Sequence, residues 1–294
     1  MTYFKLILTS LFWGGTFIAG KLVAKGVDPC AAAFLRFLAA SFFLVLLTLK
    51  MEGTLPRLTL PRIVMVVLLG LTGIFAYNIL FFYGLHYIRA NQASLIIATN
   101  PIFITLCSAF FFKEHLNGLK ITGLLLSVTG ALIVISDGSL SSLMALGLGK
   151  GELLIFGCVF SWVAYSILGK KAMDDLSAVA CVCYSSIAGT VLLFFPAASQ
   201  GMFSAMGSYS VTEWLSLFYL GFFGTVLGFF WYYEGIQDIG PVKAGIFINL
   251  VPVSAIVLSF FILKEPLGLS LVTGGICVIA GVYLTNMTNL QKED

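Results

Sequence analysis

Two proline–asparagine groups lie inside long apolar stretches, where polar groups are costly. Asn100 directly precedes Pro101, and Asn249 lies three residues before Pro252. A proline inside a helix kinks it and frees the backbone carbonyl four residues earlier. We therefore predict that both prolines mark helix kinks and that Asn100 and Asn249 bind a small molecule there. The alternative is that the prolines only bend helices for packing and the amides bond to neighbouring helices.

A second set of residues combines an aromatic or hydroxyl-bearing side chain with a position deep in an apolar stretch. Its members are Trp13, Thr16, Tyr77, Trp162, Tyr165, Trp231 and Tyr232, and the amide of Asn78 is a similar candidate. Flat rings can stack on an amphipathic ligand while the polar edge makes one hydrogen bond. We predict that this set lines the same binding site. Because the chain has 27 phenylalanines, aromatic packing without a ligand stays an open alternative.

Two charged residues lie within apolar stretches. A charge in a lipid environment costs several kcal/mol, so such groups are functional candidates by default. Arg36 either holds a carboxylate of the ligand or pairs with an acid on another helix, and we favour a structural or gating pair. Glu234 is a candidate for carrying a coupling proton. Both lie near helix ends, where a long side chain can also reach the membrane interface.

The elements that position these residues are membrane helices. Hydrophobic residues make up 60% of the chain and charged residues 10%, against roughly 25% charged in soluble domains, and the mean hydropathy is +1.04. The apolar stretches are long enough to cross a bilayer as helices. Their boundaries predict ten spans, at 3–23, 31–49, 62–87, 90–112, 118–136, 151–170, 178–197, 213–237, 241–263 and 268–287.

The basic residues predict the orientation. With a cytoplasmic N-terminus, ten lysines and arginines fall on the cytoplasmic side and five on the other. The positive-inside rule therefore predicts that both termini are cytoplasmic.

The net charge of +3 is too small and dispersed to indicate nucleic-acid binding. The six cysteines lie mostly in apolar stretches, so we predict neither a metal site nor a cofactor.

One block of the chain occurs twice. The block at residues 93–135 returns at residues 244–284, and at an offset of 151 residues 93–133 align with 244–284 without a gap. The shared positions include Ala93/Ala244, Pro101/Pro252, Ser108/Ser259, Gly123/Gly274 and Gly130/Gly281. Trp13 and Trp162 match at an offset of 149. We predict a first repeat at 1–140, a second at 148–288 and a short cytoplasmic tail at 289–294.

The repeats have a functional consequence. Each contains five predicted spans, and an odd number forces the two repeats to insert with opposite orientation. Inverted repeats are typical of alternating-access transporters, in which the two halves open a central site to each side in turn. The sequence thus favours a transporter of small molecules. A membrane scaffold without transport activity, or a channel-like facilitator, is the alternative.

The segment PCAAAFLRF (29–37) and the helices that end in Phe-Lys-Glu and Leu-Lys-Glu before a G-x6-G pattern resemble a known family. It is the drug/metabolite transporter superfamily, and within it the ten-helix EamA-type members. The resemblance covers residues 5–287. It implies a central cavity lined mainly by helices 1, 3, 4, 6, 8 and 9, in a cell (inner) membrane. It also implies export of small metabolites, amino acids or drugs and no enzymatic activity.

Substrate, direction, coupling ion and oligomeric state stay open at this point. The Lys113-Glu114 and Lys264-Glu265 pairs close helices on opposite faces. They either latch a gate or anchor the helices at the lipid headgroups, and anchoring is the interpretation we favour.

Overall fold

The computed structural model describes residues 1–100, 102–104, 106–107, 118–135 and 149–290, and these residues are helical with no strand among them. The first half contains α1 (Thr2–Val23), α2 (Pro29–Glu52), α3 (Leu60–Tyr87), α4 (Ala90–Ile97) and α5 (Gly118–Ile135). The second half contains α6 (Lys150–Ala172), α7 (Ala178–Ser199), α8 (211–246), α9 (Leu250–Leu263) and α10 (Leu269–Leu290). A short helix, Met202–Ala205, lies between α7 and α8.

Six stretches in the described part of the chain are long and apolar enough to cross a membrane. They are Thr2–Val23, Pro29–Glu52, Leu60–Tyr87, Lys150–Ala172, Ala178–Ser199 and Val211–Ile239. Three shorter apolar helices accompany them, at Ile121–Val134, Leu250–Leu263 and Leu269–Gly281. The chain is therefore an all-helical, multi-pass membrane protein.

Local sequence sets the starts of two of these helices. The Asp28 carboxylate accepts from the backbone N–H groups of Cys30 and Ala31 at 2.8 and 3.2 Å, and Pro29 occupies the first turn of α2. At the start of α8, Ser210 and Glu213 form a reciprocal capping box. Both arrangements satisfy N–H groups that the first helical turn leaves unpaired.

One predicted boundary differs in the structure. The sequence places a break between two spans at Gly240-Pro241, yet helix Gly228–Ile246 runs through these residues. The interruption comes later, as a 3-10 turn at Phe247–Asn249. A proline breaks only the hydrogen bond to the preceding turn, so it is compatible with a helix that continues beyond it.

The two repeats share an irregularity within α3 and α8. Both helices widen into a π-type turn, at Gly70–Ala76 and at Phe222–Leu227, and these segments correspond at the offset of 151. A Cβ at Gly73 would lie 2.2 Å from the Tyr165 ring, and one at Gly224 would lie 2.5 Å from Cγ2 of Thr16. Glycine at these positions lets a helix of the other repeat approach closely.

Repeat mates meet each other at the centre of the molecule. The hydroxyls of Ser41 and Thr190, which match at an offset of 149, lie 3.1 Å apart. The rings of Trp13 and Trp162 have centroids 5.4 Å apart. A residue that contacts its own mate lies on a two-fold axis. The pseudo-two-fold relation between the two sequence repeats stays a prediction, and these are the contacts that it requires.

Candidate functional site

A cavity lies where the two repeats meet. Its aromatic lining consists of Trp13, Phe17, Tyr77, Phe81, Trp162 and Phe229. Its other lining residues are Thr16, Arg36, Ile97, Asn100, Ile248 and Val251. Side chains from α1–α4, α6, α8 and α9 and the turn before α9 contribute, so both halves of the chain are needed to form it.

The cavity is small in this conformation. Its volume is about 40 Å³, room for about three water molecules at roughly 10–15 Å³ for each. Trp162 packs in its wall against Trp13, Tyr77 and Phe229, at centroid distances of 5.4, 5.5 and 5.2 Å. A molecule the size of an amino acid is larger than this volume, so these rings would have to move to admit it.

The cavity carries one buried cation among its described lining residues. Arg36 is 3% exposed; its Nε donates to Thr225 Oγ1 at 3.0 Å and its Nη1 to Asn78 Oδ1 at 2.9 Å. Its guanidinium also lies 5.1 Å from the centre of the Phe37 ring. Within the described part of the chain no carboxylate lies within ion-pair distance of Arg36. The acid partner that the sequence allowed for is therefore not found among these residues.

Asn100 adds a neutral polar group to the cavity wall. Its side chain is 1% exposed, and its Oδ1 has no hydrogen-bond partner among the described residues. A buried carbonyl oxygen without a partner loses about 1–3 kcal/mol of solvation. A ligand donor in the cavity would recover that loss, which makes Asn100 a candidate ligand contact.

The structure sorts the predicted site residues into two groups. Trp13, Thr16, Tyr77, Asn100 and Trp162 line the cavity. The indole N–H of Trp13 is already used, since it donates to the carbonyl of Gly224 at 2.9 Å. Trp13 can therefore offer a ligand its ring but not its polar edge.

Four predicted residues lie behind the cavity wall instead. Asn78 is fully buried and orients Arg36, and Tyr165 packs against Trp162 and lies 3.2 Å from the Ser185 hydroxyl. Tyr232 packs against Trp13 and Trp162. Trp231 faces away and stacks on Phe12 at 6.0 Å. Asn78 follows Tyr77 by one residue and Trp231 follows Phe229 by two, steps of about 100° that turn both to another face of the helix. Tyr165 and Tyr232 lie three residues after Trp162 and Phe229, on nearly the same face, and pack against Trp162.

The kink residues are only partly described. Pro252 is buried within α9, whereas Pro101 and the side chain of Asn249 lie outside the described residues. The carbonyls that the two prolines were predicted to free belong to Ile97 and Ile248, and both residues line the cavity.

Sequence reasoning missed several lining residues, although signals for them existed. Phe17 and Phe81 lie one helical turn beyond Trp13 and Tyr77, on the same face. Phe229 and Val251 are the repeat mates of Asn78 and Asn100 at the offset of 151. Arg36 places α2 at the cavity as well, which the family resemblance did not imply.

Polar contacts tie the helices together at the ends of α9 and α4. Glu265, which is 9% exposed, accepts from the backbone N–H groups of Ala90 and Asn91 at 3.0 and 3.2 Å. Lys264, immediately before it, has a φ of 56°, a left-handed conformation rare for a residue with a side chain. We call the Glu265 contact with the start of α4 the α4–α9 latch.

Lys21 lies beside this latch. Its ammonium donates to the carbonyl of Ile88 at 2.8 Å and to that of Leu85, and it interacts electrostatically with Glu265. The carboxylate also suits the positive end of the α4 dipole. The sequence allowed two interpretations of the Lys264-Glu265 pair, a gate latch or an anchor at the lipid headgroups. The buried Glu265 agrees with a latch, and the exposed Lys264 agrees with an anchor. Lys113-Glu114 lies outside the described residues.

A second polar contact joins the start of α1 to α8. Lys5 and Glu234 form an ion pair at 2.8 Å, with side chains 31% and 25% exposed. Next to it, the Thr2 hydroxyl donates to Asp238 at 2.7 Å. We call this the α1–α8 latch. Glu234 is thus outside the cavity and paired with a cation.

Comparisons with known proteins agree with this architecture. The EamA-like transporter family profile matches residues 1–136 and again residues 149–287. Uncharacterized transporter YetK of Bacillus subtilis is 30% identical, with 99% of this chain and 88% of that protein covered. A "Probable terminal-alkyne amino-acid exporter" of Streptantibioticus cattleyicolor is 29% identical, with 98% and 94% covered. A solved crystal structure shares the fold at a TM-score of 0.67 and 19% identity, with 98% and 97% covered.

A helical membrane protein with a cavity lined by residues of both sequence repeats has the architecture of a membrane transport protein. The chain belongs to the EamA-like transporter family. It is a membrane transporter, not an enzyme, and acts on a small-molecule substrate in a lipid environment.

Proposed function

We propose that this chain is a secondary transporter that moves small amphipathic metabolites outward by alternating access, with amino acids as the first candidates. The observation that carries the proposal is the cavity itself, which repeat mates Trp13 and Trp162 close from both halves of the chain. The printed name of the amino-acid exporter among its relatives supports this substrate class. In the proposal the repeats are inverted, ten helices span the inner membrane and both termini are cytoplasmic.

Opening and closing of the two latches would provide the alternating access of the cavity to the two sides of the membrane. With the N-terminus inside, the α1–α8 latch lies at the cytoplasmic face and the α4–α9 latch at the outer face. Each joins a helix of one repeat to a helix of the other. Opening one latch while the other stays closed would expose the cavity to one side at a time.

A channel-like facilitator is the competing function. A channel needs a continuous pore in some state, whereas the described residues here form a cavity of about 40 Å³ among packed rings. The two functions differ in kinetics, because a transporter exchanges bound substrate across the membrane and saturates.

Counterflow in proteoliposomes tests the proposal. Vesicles are loaded with unlabelled compound, and uptake of labelled tryptophan, phenylalanine, a sugar and a cationic drug is followed. We expect saturable exchange of one class, reduced about tenfold or more in Trp162→Ala because a buried aromatic contact of several kcal/mol is lost. Trp214→Ala is the matched control, since Trp214 is 41% exposed and outside the cavity.

Absence of exchange for every compound would contradict transport. Single-channel current without saturation would support the facilitator instead. Saturable exchange that is equal in Trp162→Ala and Trp214→Ala would move the site away from the cavity.

A further inference from the structure

We propose that Arg36 is the binding group for a carboxylate, and that the cavity selects apolar, chiefly aromatic, monocarboxylates by that contact rather than by an ammonium group. This inference rests on the proposed function and names the substrate class of the same cavity. It concerns which charged group of a substrate is required.

The guanidinium is held in place with donors to spare. Of its five N–H groups, one on Nε and one on Nη1 are used, by Thr225 and Asn78. Nη2 makes no hydrogen bond among the described residues. Two adjacent N–H groups, one on Nη1 and one on Nη2, can therefore meet the two oxygens of a carboxylate in a bidentate pair.

The electrostatic balance also favours an anion. Both acceptors of Arg36 found among the described residues are neutral, so within this part of the chain its charge is solvated by dipoles and the Phe37 ring but not neutralised. A buried charge without a counter-ion is strongly unfavourable compared with a hydrogen-bonded pair. A monoanionic substrate would supply the missing counter-ion inside the cavity, and a cationic substrate would add a like charge.

The rest of the wall gives an ammonium little to bind. None of the described lining residues is acidic. The neutral acceptors of the wall include the unpartnered Oδ1 of Asn100 and the hydroxyl of Tyr77, which can each take an N–H but contribute no charge. An amino group is therefore tolerated and not required, while the six rings take up the apolar part of the substrate.

A purely structural role for Arg36 makes a different prediction. Arg36 joins α2 to α3 through Asn78 and to α8 through Thr225, and such a brace would stabilise the fold without discriminating between substrate charges. The test must therefore measure charge selectivity and not stability alone.

The experiment is counterflow competition with three indole compounds that differ only in charged groups: indole-3-propionate, tryptophan and tryptamine. We expect indole-3-propionate to compete within about tenfold of tryptophan. We expect tryptamine, which lacks the carboxylate, to compete at least about tenfold more weakly, the size expected for losing a charge-assisted bidentate pair. Equal or better competition by tryptamine would overturn the inference while leaving transport established.

Variants of Arg36 and Asn78 distinguish substrate binding by Arg36 from a purely structural role. Asn78→Asp replaces the amide that accepts from Arg36 Nη1 with a carboxylate of nearly the same volume. This carboxylate should neutralise Arg36 and abolish the preference for the acid over the amine. Arg36→Gln should do the same, and Arg36→Lys should keep part of the preference. Arg62→Gln is the control, because Arg62 is a surface residue 3.8 Å from Asp175.

The outcomes distinguish the inference from the proposed function. Retained acid preference in Asn78→Asp or Arg36→Gln would contradict the carboxylate site. If Arg36→Gln fails to fold, the wild-type competition series and Asn78→Asp still decide. Absence of exchange for all three compounds and for the wider panel would contradict the proposed function, and this inference with it.

Discussion

At the scale of single residues, the chemistry of the cavity depends on how few polar groups it contains. Arg36, Asn100 and Thr16 are set among rings and aliphatic side chains, and Thr16 already donates to the carbonyl of Trp13 at 2.6 Å. A ligand would therefore meet a cation, one unpaired amide oxygen and the hydroxyl of Tyr77. Such a site discriminates by charge and by apolar shape rather than by a dense hydrogen-bond network.

The residues behind the wall should matter for stability. Asn78→Leu removes the acceptor of Arg36 Nη1, and leaving this buried donor unpaired is expected to cost about 1–3 kcal/mol. Thr225→Val removes the acceptor of Nε and should act similarly. The measurement is the thermal unfolding midpoint of purified protein in detergent.

Ser199→Ala serves as the control for that series, because Ser199 is exposed and bonds only to the carbonyl of Pro196. A midpoint for Asn78→Leu equal to that of Ser199→Ala would show that Arg36 does not depend on its neutral acceptors.

The sequence identified which residue types could form a site, but not which way each one faces. Trp13 and Trp162 were found because their repeat register and depth coincide. Tyr165, Tyr232 and Trp231 have the same chemistry, yet they pack behind the cavity or away from it. Within an apolar helix every face is hydrophobic, so the periodicity that distinguishes faces in soluble helices is absent.

At the scale of helices, the paired wide turns in α3 and α8 are the most specific feature. π-type turns inside α-helices are frequent at functional sites, and here each one receives an aromatic residue of the other repeat. Trp13 bonds to the carbonyl of Gly224, and Tyr165 lies against Gly73. The turns therefore set the position of the rings that close the cavity.

Filling either wide turn should disrupt this packing. In Gly73→Ala the new Cβ would lie 2.2 Å from the Tyr165 ring, and overpacking of this kind typically costs about 1–3 kcal/mol. We expect a lower thermal midpoint and weaker counterflow. Gly245→Ala is the helical control, with no atom within 4 Å of the added Cβ.

A Gly73→Ala protein that unfolds at the same temperature as Gly245→Ala would contradict the close approach of α6 to α3. The same comparison applies to Gly224→Ala.

The α4–α9 latch gives a second prediction at this scale. Glu265→Gln keeps the shape but removes the charge that favours the start of α4, an interaction worth up to about 2 kcal/mol when partly buried. We expect faster substrate exchange if latch opening limits the rate, and a lower thermal midpoint. Lys264→Gly should leave exchange unchanged, because glycine adopts the left-handed backbone at that position without strain.

Exchange in Glu265→Gln that is as slow as in the wild type, together with an unchanged midpoint, would make Glu265 an anchor and not a latch. The sequence could not decide between a latch and an anchor, because burial of Glu265 depends on the position of the first turn of α4 in the folded protein. It did show an asymmetry: the position matching Ala90 is Pro241, which has no N–H to donate.

At the scale of the whole molecule, most of the architecture follows from the repeat. The prediction of an all-helical membrane protein of the EamA type is confirmed. The count of ten spans and their inverted orientation stay predictions. What the repeat could not give is the conformation. Rings from both halves meet at the cavity, and which state is lowest in free energy depends on small differences between large packing terms.

Alternating access requires that this cavity open to one side of the membrane at a time. It is tested most directly by spin-label distances across both latches, in protein whose native cysteines have been replaced. One pair is placed at exposed Arg89 and Leu267 beside the α4–α9 latch, the other at exposed Phe4 and Gln237 beside the α1–α8 latch. The compound with the strongest counterflow is then added.

We expect reciprocal changes, with one distance distribution lengthening as the other shortens when substrate binds. Distances that lengthen together, or that do not respond while counterflow proceeds, would contradict alternating access through this cavity.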